Sequence, residues 1–412
     1  MSVINTEPRT TARGSAPATA APDPRQSMTA LPRVLQYPLT VFTGKALPEQ
    51  EPLGWTPTFH LLTATASMVV GVLLGTLGYA LGGACLLLLL PGWAVTLHGM
   101  RNLRMMIYHQ CSHRNMYRSR TPDRAIGHAI SSLLVIQNFQ RYSREHVSDH
   151  HATHHMTLQD PTVQAFLVSL GMHPGMTRRQ MWRRLLGKLV SPRFHLAFAV
   201  SRVRSFAKES ARTEKATVLG LYGTAVLATA LTGTWPALLL VWFVPLVPLF
   251  QISNTLRLCV KHTFPEPGIE DRRSRAYFAS LTNAIFIGDR VPSPALPAGR
   301  RALAWSRWTL RLLFVHAPAR YLVLTGDTVV HDYHHRHPRS ADWADYLFAR
   351  RQDAEEAAAS GDRNRPPYHE VWGLVPAISH VFDSLAAADA EEFDVNRLRS
   401  VSKRELFAAF DD

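Results

Sequence analysis

The sequence predicts an all-α integral membrane protein. Four transmembrane helices form two hairpins, and a cytoplasmic helical cap carries clustered histidines. Three observations lead there. First, apolar residues are gathered into islands, with no Lys or Arg between Lys45 and Arg101 or between Lys215 and Arg257. The islands at about 61–80, 84–100, 216–233 and 235–252 approach the ~20 apolar residues that a bilayer span requires. Second, the formal net charge of +14 is carried by basic residues that flank these islands, as the positive-inside rule demands. Third, the 20 histidines are strongly clustered, and the clusters fall on the side of the spans where the basic residues lie.

Taken in order, residues 1–54 are rich in Pro, Thr, Ala and Arg and read as a disordered or extended N-terminal region. They lack the contiguous apolar core of a secretory signal, and a transit peptide is the lesser alternative. Leu61–Ala80 and Ala84–Met100 are two spans joined at Gly82-Gly83, the second kinked by Pro91. A buried helical pair in a soluble protein is the competing reading. Arg101 and Arg104 mark the cytoplasmic border, and His109 and His113 follow at once, one helical turn apart. His98 stands alone and reads as packing.

Ala125–Phe139 is apolar but too short to span. Thr177-Arg-Arg-Gln180 has the pattern of a capping box. Behind it, Met181, Trp182, Leu185, Leu186, Leu189 and Val190 share one stripe, with Arg and Lys on the other faces. Such a helix lies on an anionic membrane surface or packs as an ordinary cytoplasmic helix. Ala216–Gly233 and Trp235–Ile252 repeat the hairpin with no charge in the turn, and Arg257 and His262 come straight after. Ala276–Gly288 and Ala302–Val330 are expected as interfacial helices. The membrane domain is taken as residues 55–350, and residues 351–412, which turn acidic, as a cytoplasmic helical extension. Cys85, Cys111 and Cys259 suggest no disulfide framework.

Three stretches hold the chemistry. They are His109-Gln-Cys-Ser-His113, the run Tyr142–Pro161 with His146, His150, His151, His154 and His155, and His331-Asp-Tyr-His334-His335. Residues three or four apart share a helix face, so each stretch can aim several imidazoles at one point. With His262, this much imidazole suits two metal ions and no charged ligand. Ligand preference leaves Zn, Fe, Cu and Ni open. A zinc hydrolase needs only three protein ligands, and a haem only one or two axial histidines.

In spacing and order the three stretches resemble the histidine boxes of the membrane fatty-acid desaturase and hydroxylase superfamily, over about residues 55–350. His109-x-x-x-His113 resembles the first box, and His331-x-x-His334-His335 the third. The second can be read as His146-x-x-x-His150-His151 or as His151-x-x-His154-His155. The family places an aromatic residue four before the first histidine and an acid seven to nine past the His-His pair. Tyr142 and Asp160 therefore favour His146, His150 and His151, leaving His154 and His155 outside the direct ligands or at the surface. The resemblance implies a di-iron centre held by His109, His113, His146, His150, His151, His262, His331, His334 and His335. It further implies O2 as co-substrate and a fatty acyl or related lipid chain as substrate.

Desaturation is the leading expectation. Hydroxylation is the alternative, since Glu145-His146 resembles alkane hydroxylases. No catalytic residue is expected beyond the metal ligands. Met172-His173-Pro174-Gly175-Met176 resembles a cytochrome haem motif but lacks its second Gly, so no fused haem domain is expected. Electrons then come from a separate ferredoxin-, rubredoxin- or cytochrome-like donor, for which the basic surface around 178–215 is a candidate dock. Both termini and the histidines are expected in the cytoplasm, with the chain in an inner or plasma membrane. A metal-binding membrane carrier is the non-enzyme alternative; it would place ligands inside the spans, whereas the apolar gaps hold only His60 and His98 as extras. No basic-aromatic module for nucleic acid is present.

Overall fold

The structure, a computed structural model, describes residues 23–147, 155–268, 274–361 and 368–398. Helix α1 (Pro57–Leu81) begins at Thr56, whose hydroxyl accepts the Phe59 amide at 3.2 Å, with Pro57 preset for the first turn. Its buried residues are His60, Ala64, Met68, Gly71, Gly75 and Gly78, three or four apart. The opposite face exposes Leu62, Val69, Val70, Leu73, Leu77 and Leu81. An apolar face on each side is what a helix needs when its outside meets lipid.

The chain reverses at Gly82 and Gly83, both at positive φ, into helix α2 (Gly83–Ser112). The two helices pack through glycine. A Cβ on Gly71 would lie 2.3 Å from the Thr96 amide nitrogen, and one on Gly99 2.4 Å from that of Met68. Small residues of this kind let backbones approach where no water drives helices together. Arg101 and Arg104, expected at a membrane border, are fully buried in α2, over the rings of Phe250 and of Tyr108 and Tyr142.

Helix α3 (Arg120–Leu134) ends at Val135 in the left-handed region. Helix α4 (Arg178–Leu189) carries the expected capping box of Thr177 and Gln180. Helix α5 (Arg212–Leu231) covers the third apolar island and exposes Leu219, Leu227 and Leu231. Helix α6 (Trp235–Lys261) follows after Gly233. Its turns Leu239–Phe243 and Pro245–Leu249 are widened to the π form where prolines interrupt the ladder. Among the described residues three helices, α1, α2 and α6, are long and apolar enough to cross a membrane. Arg212, Glu214 and Lys215 occupy the first turn of α5 and keep it out of that set.

Further expectations are not met. Within the N-terminal region expected as disordered or extended, Gln36–Thr43 is a helix and Arg25, Met28 and Thr40 are fully buried. Ala276–Gly288 is no interfacial helix. After a short helix, Arg275–Ser280, it runs as a buried strand, β1 (Ala284–Phe286). The β-branched and aromatic run Ile285-Phe286-Ile287 suits that form. Helix α7 (Ala298–Arg311) buries no residue and exposes Leu303 and Leu310. The short helix α8 (His331–Arg336) and helix α9 (Tyr346–Ser360) come next. Strand β2 (Glu370–Trp372) then pairs in parallel with β1, Ile285 opposite Val371. Helix α10 (Leu374–Ala387) closes over the end of α6, with Trp182 of α4 edge-on to Phe382 at 5.6 Å.

Candidate metal centre

The final turn of α2 brings His109 and His113 inward, after a π-widened stretch, Leu103–Tyr108. Such wide turns adjust which side of a helix faces a site. Tyr142 lies on a helix started by Asn138, whose side chain accepts the Gln140 amide at 3.0 Å. Its ring stacks on that of His146, 5.1 Å away and tilted by 13°. At His262 the backbone leaves α6 for an extended conformation and bridges Thr282. Helix α8 contributes His331, His334 and His335.

These side chains form two groups. His109, His113, His146 and His334 make the first, and His262, His331 and His335 the second. Within each, one ring nitrogen from every residue lies within 4.8 Å of the others. In the first group Nε2 of His146 and Nε2 of His109 are 2.8 Å apart. In the second, Nε2 of His331 is 3.4 Å from that of His262 and 3.2 Å from that of His335. Imidazoles bound at 2.0–2.1 Å around one ion hold their nitrogens about 2.9–3.4 Å apart. The rings are therefore already at ligand spacing. All but the half-buried His335 are buried, so both groups are largely screened from water. The groups adjoin through α8, where the rings of His331 and His334 are 6.0 Å apart.

Of the sequence-derived candidates, His109, His113, His146, His262, His331, His334 and His335 thus come together. His150 and His151, with His154, lie outside the described residues. His155, set aside by its spacing, is 2% exposed. Its ring sits 4.7 Å from that of His262 and 5.0 Å from that of His335. A surface position is ruled out for it. His60 and His98 serve the fold, through Ala344 O at 2.7 Å and Tyr321 O at 2.8 Å.

A polar frame surrounds the groups. Asp332, between two candidate ligands and fully buried, accepts three bonds from Arg350, at 2.9–3.1 Å. Arg350 also donates to Glu370 on β2 at 3.1 Å. Burial raises the Asp332 carboxyl above its ordinary range, against the pull of Arg350. Asp327 accepts from Gln110 of the first box at 2.9 Å, and burial pushes its pKa up to about 6. Gln110 in turn accepts from Asn115, which also donates to Pro338 O, tying α2 to the end of α8. Asp160 accepts the Met156 and Thr162 amides, both at 2.8 Å, and so holds the end of the histidine-rich run. Sequence reasoning missed Arg350 and Gln110. Their neighbours Asp332 and His109 were visible, but nothing in the spacing joined them to distant partners.

An apolar cavity of about 820 Å³ lies between α2, α6, the segment Phe314–Val323 and the start of α10. Leu90, Trp93 and Leu97 line it from α2, and Leu249 and Leu256 from α6. His262 follows Leu256 by six residues, about 9 Å of helix.

A sequence model of the family described as Fatty acid desaturase matches residues 86–372. That range contains both histidine groups. No curated protein matches the chain.

Proposed function

The chain belongs to the fatty acid desaturase family, and from that premise we propose that it is a membrane di-iron oxidoreductase that desaturates the aliphatic chain of a fatty acyl or related lipid. The observation that carries this reading is the pair of buried histidine groups at ligand spacing. His109, His113, His146 and His334 would hold one iron. His262, His331 and His335 would hold the other, with His155 beside them and His150 and His151 completing the set. Bound there, the two irons supply O2 activation and hydrogen abstraction from an unactivated methylene.

The chain's own residues provide the rest. Neutral imidazoles leave the charge of the ions uncancelled, and Asp332 and Arg350 fix the helix that presents three of them. The cavity supports an acyl substrate, because its wall is mostly apolar and its volume of about 820 Å³ can take an aliphatic chain. The reaction balances when the substrate gives up two hydrogens, a separate ferredoxin-, rubredoxin- or cytochrome-like donor gives two electrons, and two protons enter. O2 then leaves as two waters.

In this reading α5 joins α1, α2 and α6 as the fourth span, completing the second hairpin. Residues 55–350 form the membrane domain and 351–412 the cytoplasmic extension. The absence of Lys and Arg from the turns at Gly82 and Gly233 supports termini and histidines on the cytoplasmic side, in an inner or plasma membrane. Glu145, the residue that resembles hydroxylases, accepts from the Gln137 amide and the Arg141 guanidinium. It joins neither histidine group, which leaves desaturation ahead of hydroxylation.

The test is metal analysis of active protein, with lipid profiling of a host expressing the gene against a His331→Ala control. Two irons per chain and a new double bond are expected. One zinc and no iron would end the di-iron reading, and a hydroxylated product would replace desaturation.

A further inference from the structure

Directly outside the first histidine group is a depression of about 240 Å³ whose wall includes Ser112 and Ser143. Ser143 donates to the Ser112 carbonyl at 3.0 Å, so the two walls are joined. Ser112 precedes His113, and Ser143 follows Tyr142, whose ring stacks on His146. Two members of the first group are thus one residue or one stacked ring away from this surface.

Arg114, Arg120, Arg124 and Arg144 also line the depression, and all four are exposed. Among the described residues none of them pairs with a carboxylate, because the acids nearby are engaged elsewhere. Glu145 and Glu209 bind Arg141, and Glu214 binds His128. Asp123 is buried and turned to the Tyr117 amide at 2.9 Å. The rim therefore gathers four arginines that pair with no carboxylate among the described residues, against the single lining acid Asp123, on a surface adjacent to the first histidine group.

The other basic surfaces are built differently. In α4, Arg178 is already bridged to Asp383, and Leu186 farther along the helix is exposed. In α7, Arg300, Arg301 and Arg307 alternate with exposed Leu303 and Leu310. Those are mixed basic and apolar faces, which suit a lipid surface. The rim at the first box has charge without such an apolar face.

We propose that Arg114, Arg120, Arg124 and Arg144 form the docking site of the electron donor, a small acidic protein carrying a one-electron iron–sulfur centre. This relocates the donor from the 178–215 surface to the first histidine box, and it rests on the di-iron reading above. Each encounter oxidises the donor's centre by one electron and reduces the metal pair by one. Two encounters per turnover supply the two electrons the reaction requires.

The probe is an acidic [2Fe–2S] ferredoxin, with full-length protein in nanodiscs of zwitterionic lipid, so that no anionic lipid competes. Its Kd at low ionic strength is compared for wild type, Arg120→Glu/Arg144→Glu and, on α4, Arg179→Glu/Arg183→Glu. The proposal expects wild-type binding that weakens with salt, about tenfold or greater weakening in the rim variant, and no change in the α4 variant. Equal binding by wild type and the rim variant overturns it, as does a loss confined to the α4 variant. If the rim variant instead weakens only binding of the acyl substrate, the depression holds an anionic headgroup and the donor assignment fails. Reduction of bound iron by a small photochemical reductant keeps the two readings apart. Wild type that holds no reducible iron fails the di-iron reading, whereas reducible iron without ferredoxin binding fails the docking site alone.

Discussion

His334 and His335 are neighbours in the chain but belong to different histidine groups, their rings 5.9 Å apart and nearly perpendicular. Consecutive residues on a helix point about 100° apart. Helix α8 uses that angle to face two sites at once: His334 meets His109 and His113, and His335 meets His262. Replacing either one should strip a different ion. Iron content is expected to fall from about two to about one per chain in both His334→Ala and His335→Ala, with turnover lost in each. Inductively coupled plasma analysis against protein concentration reads the result. Retention of two irons by either variant would show that the residue is not a ligand.

That partition was not legible in the sequence, although its members were. Spacing alone marks His109 with His113 and His331 with His334 and His335, because a shared helix face is a local property. Which side of α8 meets α2 and which meets His262 is a tertiary fact with no local signal. The apolar islands were legible for the same local reason, as were the turns at Gly82 and Gly233 and the cap at Thr177. Strand β1 was not, because a short apolar run reads equally as strand or helix. Nor was the burial of Arg101 and Arg104. Charge next to an apolar island suggests a water boundary, and the aromatic rings that cover these side chains come from Tyr142 and Phe250, far along the chain.

The α1–α2 hairpin depends on close backbone approach. In Gly99→Leu the new side chain starts 2.4 Å from the Met68 nitrogen, and only separation of the helices relieves that. His109 and His113 lie on the same helix, so the first group should be displaced along with the packing. The variant is expected to lose its monodisperse peak in detergent size-exclusion chromatography and to bind less iron. Gly54→Ala, where a Cβ meets nothing within 4 Å, serves as the comparison, because only its positive φ opposes the change. Normal elution of Gly99→Leu would refute the packing argument.

The buried pair of Asp332 and Arg350 is framework, since it joins α8 to α9 and, through Glu370, to β2. Removing one partner leaves the other charge buried and uncompensated, a loss of about 3–5 kcal/mol. Arg350→Ala should therefore melt well below wild type. The double variant Asp332→Asn/Arg350→Met, which buries no charge, should recover part of the loss. Thermal unfolding across the four-protein cycle measures the coupling. Additive effects would mean that the pair contributes nothing beyond its separate side chains.

Asp327 gives the protein a pH dependence of defined sign. Burial raises its pKa from an ordinary 3.8 to about 6, so between those values the folded state binds more protons than the unfolded one. Stability from this group is present below pH ~4 and is lost as pH rises through ~6. Two units correspond to roughly 3 kcal/mol, an upper figure. Asp327→Asn can keep the bond from Gln110 and has no charge to bury. Relative to wild type, the variant should gain stability as pH rises from about 4 to about 6 and level off above. Parallel pH profiles for the two proteins would show that the carboxyl is not raised.

The remaining prediction concerns His155, which spacing places outside the ligands and the fold places against the second group. Its ring contacts those of His262 and His335. His146 stands in the opposite relation, against His109, His113 and His334. The two variants should therefore fail differently. His146→Ala is expected to lose the first ion and all turnover. In His155→Ala the second ion should bind about 10–100-fold more weakly, the loss typical for a residue that supports a ligand, or disappear if His155 is itself a ligand. Turnover should fall with it and return in part when iron is supplied in excess. Iron titration followed by the visible spectrum separates these cases, because each variant retains the ion that the other loses. Full iron and wild-type turnover in His155→Ala would reduce its contact with His262 to packing and return the central run to the register chosen by Tyr142 and Asp160.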